Sequence, residues 1–242
     1  MSGRDYAALV RRLEALQTPL TASEIIGEAD GYPIYCVRLE KSKSAVGNIL
    51  LSGGLHGDEY ASPAAVLAFL ERDHGVLLEY FRFLVFPCLN PYGYENGQRE
   101  NKDGKDLNRC FDTDEESLVR LVKKSIGAQR FNFHIDFHED WEGEATYIYE
   151  GQRQERWLGP QIRAKAAEIG PVDEDEGEDE LPISPGVFKI DPSWGVLGFT
   201  PYTYAHHTDH VMMTETPYSW PLEQRVAVHL VALDALLDHY RS

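Results

Sequence analysis

The chain alternates between short apolar runs that suit buried strands and longer stretches with helical spacing. An amphipathic helix is expected within Met1 to Leu16, where Arg4, Asp5, Arg11, Arg12 and Glu14 are scattered among apolar positions. Ser23 to Ala29 and Tyr32 to Leu39 read as strands joined at Asp30-Gly31, a pair that favours a tight hairpin turn. The run Asn48-Ile49-Leu50-Leu51 suits a buried strand, Ser62-Pro63 opens a helical pattern reaching about Arg72, and Phe81 to Phe86 reads as the next buried strand. Strand, helix and strand at this spacing predict a βαβ unit and a partly parallel sheet.

From Asn90 to Phe111 the chain turns polar and glycine-containing, and a long loop is expected there; loops of that length are often functional. A helix is expected over Glu115 to Gln129 and a strand over Phe131 to His138. In that strand His134, Asp136 and His138 alternate with Phe133, Ile135 and Phe137, so the three polar side chains share one face. The second half predicts a strand over Thr146 to Glu150, a helix near Gln152 to Glu168, a strand from His210 that ends at Glu215-Thr216-Pro217, and a closing helix over Leu222 to Tyr240. Between them the acidic run from Asp173 to Glu180 reads as a solvated loop.

A length of 242 residues accommodates one α/β domain with a sizeable core, and a single domain over 1–242 is expected. The net charge of −17 argues against a general nucleic-acid binder, which needs a basic face. Cys36, Cys88 and Cys110 fit neither a redox pair nor a zinc knuckle by spacing, and Cys36 and Cys88 lie in apolar runs that suit buried, inert thiols. The amino terminus lacks the pattern of a secretory signal and no apolar run has spanning length, so a cytoplasmic protein without membrane partners is expected.

The candidate chemistry starts at Leu51-Ser52-Gly53-Gly54-Leu55-His56-Gly57-Asp58-Glu59, where an apolar run stops at two glycines and a histidine and a glutamate follow three apart. They fall at the carboxyl end of a strand, where open α/β sheets place their ligands. Two readings compete at this stretch: half of a metal site, or an ordinary acidic residue in the first turn of a helix.

Taken with Arg99, Asp106-Leu107-Asn108-Arg109, the strand-end His138 and the late strand-end Glu215, this stretch resembles the zinc carboxypeptidase family. The same pieces recur in the related succinylglutamate desuccinylase and aspartoacylase group. The resemblance spans roughly Leu50 to Pro217. It implies a three-layer α/β/α fold of the phosphorylase/hydrolase-like kind, around a mixed, mostly parallel twisted sheet. It also implies one Zn2+ per chain held by His56, Glu59 and His138, two imidazoles and a carboxylate that leave a coordination position open for water. Glu215 matches the family's general base and acid, Arg99 the arginine that stabilises the oxyanion, and Asn108 with Arg109 the clamp on a free substrate carboxylate. Asp106 matches the residue that orients the first histidine.

Glu139 and Asp140 depart from the small or hydroxyl residues that digestive members carry there, and facing the pocket they would favour a substrate with an amino group. For the loop tyrosine of those members Tyr202 is the candidate, with Tyr204, Tyr147 and Tyr149 left open. His206 and His210 have i, i+4 spacing without an HExxH motif, so loop histidines are expected.

The function implied is zinc-dependent hydrolysis of an amide next to a free carboxylate, by a carboxypeptidase or a short-peptide amidase. The alternative is an N-acyl amino acid deacylase. The Thr214-Glu215-Thr216-Pro217 segment looks like the peptidase branch, and one helix after Pro217 leaves little chain for the carboxy-terminal domain typical of the aspartoacylase branch. A metal-holding module without catalysis is a third class, against which the complete ligand set and Glu215 both speak.

Overall fold

The computed structural model describes residues 4–16, 20–41, 47–175 and 180–241. Helix α1 (Tyr6–Ala15) starts at Asp5, whose carboxylate accepts the Ala8 N–H, and buries Tyr6, Leu9 and Leu13. Strands β1 (Thr21–Ala29) and β2 (Tyr32–Leu39) form the expected antiparallel hairpin. Asp30 and Gly31 both adopt positive φ, 56° and 88°, as its tight turn requires. Strand β3 (Gly47–Gly53), helix α2 (Ala61–Leu70) and strand β4 (Phe81–Phe86) make the βαβ unit, with β3 and β4 parallel.

The stretch after β4 is more ordered than its polarity suggests. Asn90 accepts the Gly93 N–H and Pro91 occupies the first turn, which together start helix α3 (Pro91–Asn96). Asp106 in turn accepts the Asn108 N–H and caps a 3₁₀ turn over Leu107–Arg109. Helix α4 (Ser117–Ile126) and strand β5 (Phe133–Asp140) follow as expected, and then strand β6 (Tyr147–Gln152).

Helix α5 spans only Gly159–Ala166. Gln152 is still paired with His210 in the sheet, and the helix begins where the Glu150 carboxylate accepts the Leu158 and Gly159 N–H groups. Three short elements lie beyond any pattern read from the sequence: β7 (Pro182–Ser184), β8 (Val187–Lys189) and helix α6 (Phe199–His206). Strand β9 (His210–Pro217) and helix α7 (Leu222–Arg241) complete the chain as expected. Of the acidic run, residues 176–179 lie outside the described residues; Glu174 pairs with Arg163, and Glu180 accepts the Tyr149 hydroxyl.

Among the described residues nine strands join one mixed sheet in the order β1-β2-β4-β3-β5-β9-β6-β8-β7, and its central four, β4 to β9, are mutually parallel. Antiparallel pairs flank that centre. One face packs against α1, α2, α5 and α7 and the other against α4 and α6, giving three layers. The connection through α2 leads to one side of β3 and the connection through α4 to the other, so the strand order reverses beside β3. A crevice at the carboxyl ends of β3 and β5 is the consequence. Among the described residues no helix is long and apolar enough to cross a membrane.

Candidate metal centre

The loop after β3 is built by close backbone approach. Gly54 has φ +67°, and a Cβ on Gly57 would lie 2.1 Å from the Gly93 carbonyl carbon at the start of α3. Ser62 in the first turn of α2 accepts the Gly54 N–H at 3.1 Å and donates to the Glu59 carbonyl at 2.7 Å, which closes the loop. His56 and Glu59 are thereby held inward, buried at 3% and 1% exposure. His138, at the end of β5, reaches the same point from the neighbouring strand.

Glu59 lies between the two rings: Oε1 is 2.5 Å from His56 Nδ1 and Oε2 is 3.0 Å from His138 Nδ1. The outer nitrogens face other carboxylates, His56 Nε2 at 3.2 Å from Asp106 and His138 Nε2 at 3.1 Å from Asp136. A carboxylate can only accept, so without a cation each ring must donate from both nitrogens and carry positive charge, whereas a neutral ring with its proton on Nε2 presents a lone pair at Nδ1. Three electron-pair donors within 4.8 Å of one another then converge on one point. Such a set repels itself without positive charge among its members, and two imidazoles with one carboxylate suit a divalent cation of intermediate softness. His56, Glu59 and His138 form a group that could hold a metal ion.

The electrostatics express the same demand. Burial opposes protonation of His138, yet Glu59 and Asp136 raise its pKa well above the ordinary histidine value. Glu59 and Asp106 do the same to His56 against its burial. Burial alone would raise the Glu59 carboxyl, but the two rings hold it down to about 2.

A cavity of about 610 Å³ opens at this point. Of the residues singled out from sequence, it is lined by His56, Glu59, His138, Arg99, Asn108, Arg109, Glu139, Asp140, Tyr147, Tyr149 and Glu215. Glu215 stands beside His138 in the β5/β9 register, and burial, with Glu59 adding to it and His138 opposing, pushes its carboxyl up to about 8. Asp106 sits behind the cavity, orienting His56 and holding Arg99 through Nε at 3.2 Å and Nη2 at 3.1 Å. Arg99 Nη1 also approaches Glu59 to 3.7 Å. Asn108 accepts the Phe199 N–H at 2.9 Å and so ties the Leu107–Arg109 turn to α6, while the exposed Arg109 donates to the Asn108 carbonyl.

Two sequence expectations are corrected. Glu139 touches the cavity, but its carboxylate is directed into the protein, where one oxygen pairs with the buried Arg225 and the other accepts the Ala61 N–H at 2.7 Å at the start of α2. It stabilises a helix end and a buried cation, leaving Asp140 as the carboxylate of that pair turned to the opening. Tyr202 does not line the cavity: its ring packs on Phe111 and lies 4.9 Å from the Lys123 ammonium. Tyr147 and Tyr149 line it instead, and the Tyr147 hydroxyl donates to Asp140 at 3.0 Å. His206 ends α6 and His210 begins β9; their rings serve different neighbours, His210 facing Glu150 and Tyr240.

Trp141, Trp194 and Met213 also line the cavity and were not singled out. Trp141 follows directly on the Glu139-Asp140 pair, and that adjacency is its signal in the sequence; Trp194 comes from a segment whose sequence carries no signal connecting it to the site.

The comparisons with known proteins fit this geometry. Residues 45–168 match the model of the succinylglutamate desuccinylase/aspartoacylase catalytic domain. Among solved structures, a candidate metallopeptidase from Shewanella amazonensis superposes with a TM-score of 0.85 at 23% identity, over 98% of this chain and 94% of its own. One from Shewanella baltica gives 0.85 at 24% identity, over 98% and 93%. A metallo-carboxypeptidase from Burkholderia cenocepacia gives 0.71 at 17%, over 97% of this chain and 68% of its own. At these identities the likeness is one of fold. No curated protein matches the sequence.

Proposed function

The chain belongs to the succinylglutamate desuccinylase/aspartoacylase catalytic-domain family, and on that premise we propose that it acts, as one catalytic domain, as a zinc-dependent hydrolase of an amide bond next to a free carboxylate. The observation that carries this reading is the convergence of His56, Glu59 and His138 on one point of a cavity that the buried Glu215 also lines. When bound there, zinc supplies Lewis acidity, polarising a carbonyl and making water more acidic.

The remaining steps belong to the chain's own groups. Arg109, exposed at the cavity, fits the substrate's free carboxylate through its planar fork, with Asn108 beside it. Glu215 takes the proton of the attacking water and returns one to the leaving amine. Its buried position holds that proton close to neutral affinity, which suits both transfers. Arg99, held by Asp106 and lining the cavity, is the group we assign to stabilise the developing oxyanion.

A short peptide is the substrate we favour. Asp58, Asp140 and Glu142 line the cavity, and of its two lining arginines Arg99 is already held by Asp106. One carboxylate on the substrate has Arg109 as partner; a second, as on a succinyl or aspartyl group, would face like charge. The second reading, an N-acyl amino acid deacylase, rests on the family match itself. Offering the zinc-loaded protein short peptides and N-acetyl or N-succinyl amino acids separates them, since turnover of only the acylated amino acids defeats the peptidase reading. Glu215→Gln is expected to keep zinc and lose about 10²- to 10⁴-fold in kcat. Hydrolysis at the wild-type rate would remove Glu215 from the mechanism.

A further inference from the structure

His138 is one end of a chain of hydrogen bonds that runs away from the cavity into the protein. Asp136, two residues earlier on the same face of β5 and 0% exposed, accepts on both oxygens. Oδ1 takes the Ser52 hydroxyl at 2.6 Å; Oδ2 takes the Thr200 hydroxyl at 3.1 Å and His138 Nε2–H at 3.1 Å. Ser52 has one proton and gives it to the carboxylate, so its oxygen must accept from the next neighbour, His134 Nε2 at 2.8 Å. His134 therefore carries its proton on Nε2 and presents a lone pair at Nδ1, 2.7 Å from the Thr203 hydroxyl. That hydroxyl has one proton and two acceptors in reach, the second being the Thr200 carbonyl at 2.9 Å.

The direction of each proton between His138 and His134 follows from the charge of Asp136. Ser52, His134 and Asp136 have the composition of a nucleophilic triad, but all three are 0% exposed and the serine donates to the carboxylate rather than to the imidazole. That order cannot activate a nucleophile. What the chain does is hold His138 in a single orientation with its Nε2–H on Asp136, so that Nδ1, 3.0 Å from Glu59, is the nitrogen whose lone pair a cation would take. It also joins three elements: Ser52 on β3, the histidines and Asp136 on β5, and Thr200 and Thr203 on α6, the helix whose first turn brings Pro201 to the cavity wall.

We propose that Asp136 and His134 are positioning residues for the ligand His138, Asp136 fixing the ring's tautomer and His134, through Ser52 and Thr203, locking that carboxylate against helix α6. The proposal rests on the reading of His56, Glu59 and His138 as the metal site. An asparagine at 136 can turn its amide nitrogen toward His138, which then carries its proton on Nδ1 and no longer offers that lone pair. Groups of this kind change metal affinity by about 10- to 100-fold when replaced.

The test is metal binding by the full chain, stripped of metal and titrated with zinc against a chromophoric chelator and with cobalt, whose visible absorption reports ligand geometry. Asp136→Asn is expected to bind zinc about 10- to 100-fold more weakly with an altered cobalt spectrum. Ser52→Ala and His134→Phe are expected to shift both readouts in the same direction by less. His134→Gln, which can still donate to Ser52, is expected to recover part of the affinity. Glu150→Gln, at the other end of the strands, controls for simple loss of stability and is expected to leave the spectrum unchanged. If Asp136→Asn does not fold, Ser52→Ala carries the test. Wild-type affinity and spectrum in the Asp136 and Ser52 variants would overturn the proposal alone. A wild-type protein that binds neither metal would overturn the reading of the site, and this proposal with it.

Discussion

Two clusters of histidine and carboxylate lie buried in the same sheet, one at each end of β9, and their hydrogen bonding tells them apart. At the amino end, Glu150 accepts from His210 Nε2 at 2.9 Å and from the Leu158 and Gly159 N–H groups, while His210 Nδ1 accepts the Tyr240 hydroxyl at 2.8 Å. Every donor there meets an acceptor. At the carboxyl end, the outer nitrogens of His56 and His138 are matched in the same way, but their inner nitrogens share the one Glu59 carboxylate, and three carboxylates around two rings balance only with added positive charge, as extra ring protons or a cation. Burial is as complete in both places and the residue types are the same. What separates a structural cluster from a group that could hold a metal ion is therefore whether its donors and acceptors balance with neutral rings.

The largest effect that tests this contrast is expected from Glu59→Gln. Hydrolysis should fall to background, and so should the stabilisation by zinc, which for a folded-state ligand at a thousandfold excess over Kd is about 4 kcal/mol. Thermal melts with and without zinc read it, and a wild-type protein whose melting temperature ignores zinc would break the comparison. Glu150→Gln is expected to do the reverse. Its carboxylate holds three donors, and bonds to charged groups contribute about 1.5 to 3 kcal/mol each, so a loss of about 3 kcal/mol is expected in denaturant titrations. The zinc-induced shift should survive intact.

Buried histidines without a facing carboxylate pair sharpen the contrast through pH. Burial lowers His134 to about 4, against the pull of Asp136 through Ser52, and lowers His229 to about 3 between Thr214 and Thr216. The unfolded chain takes up these protons near pH 6.5, whereas the folded protein does not, so stability falls as pH drops from 6.5 toward 4 and gains nothing from these groups above 7. The two together are expected to remove about 3 kcal/mol between pH 6.5 and 5. Imidazole proton resonances of His134 and His229 that titrate above pH 6 would contradict it.

The difference between the two clusters also marks how far the sequence could be read. The strands and helices around His56 and His138 were legible because apolar runs and glycines punctuate them, and the hairpin at Asp30-Gly31 announces its own turn. Helix α3 was signalled by Asn90-Pro91, an N-cap followed by a first-turn proline, yet its glycine and polar residues read as loop. Helix α6 and strands β7 and β8 carry no such signal; they are short and held by tertiary contacts such as Asn108 on the Phe199 N–H. Side-chain direction was the least legible feature. Glu139 and Asp140 are adjacent, and the partners that turn one of them inward, Arg225 and the Ala61 N–H, lie far away along the chain.

The smallest effects concern the tyrosines, where direction again decides. Tyr147→Phe removes the hydroxyl that donates to Asp140 on the cavity wall, and one hydrogen bond to a carboxylate can change kcat/KM by up to about tenfold. Tyr202→Phe removes a hydroxyl whose partner is His207 Nε2 at 3.4 Å, and it leaves the ring packed on Phe111 and under the Lys123 ammonium. Its kcat/KM is expected to stay within about twofold of wild type and its stability within about 0.5 kcal/mol, as for a substitution away from core and site. Steady-state kinetics on both variants rank them, and a larger loss from Tyr202→Phe than from Tyr147→Phe would mean that α6 turns toward the substrate during turnover.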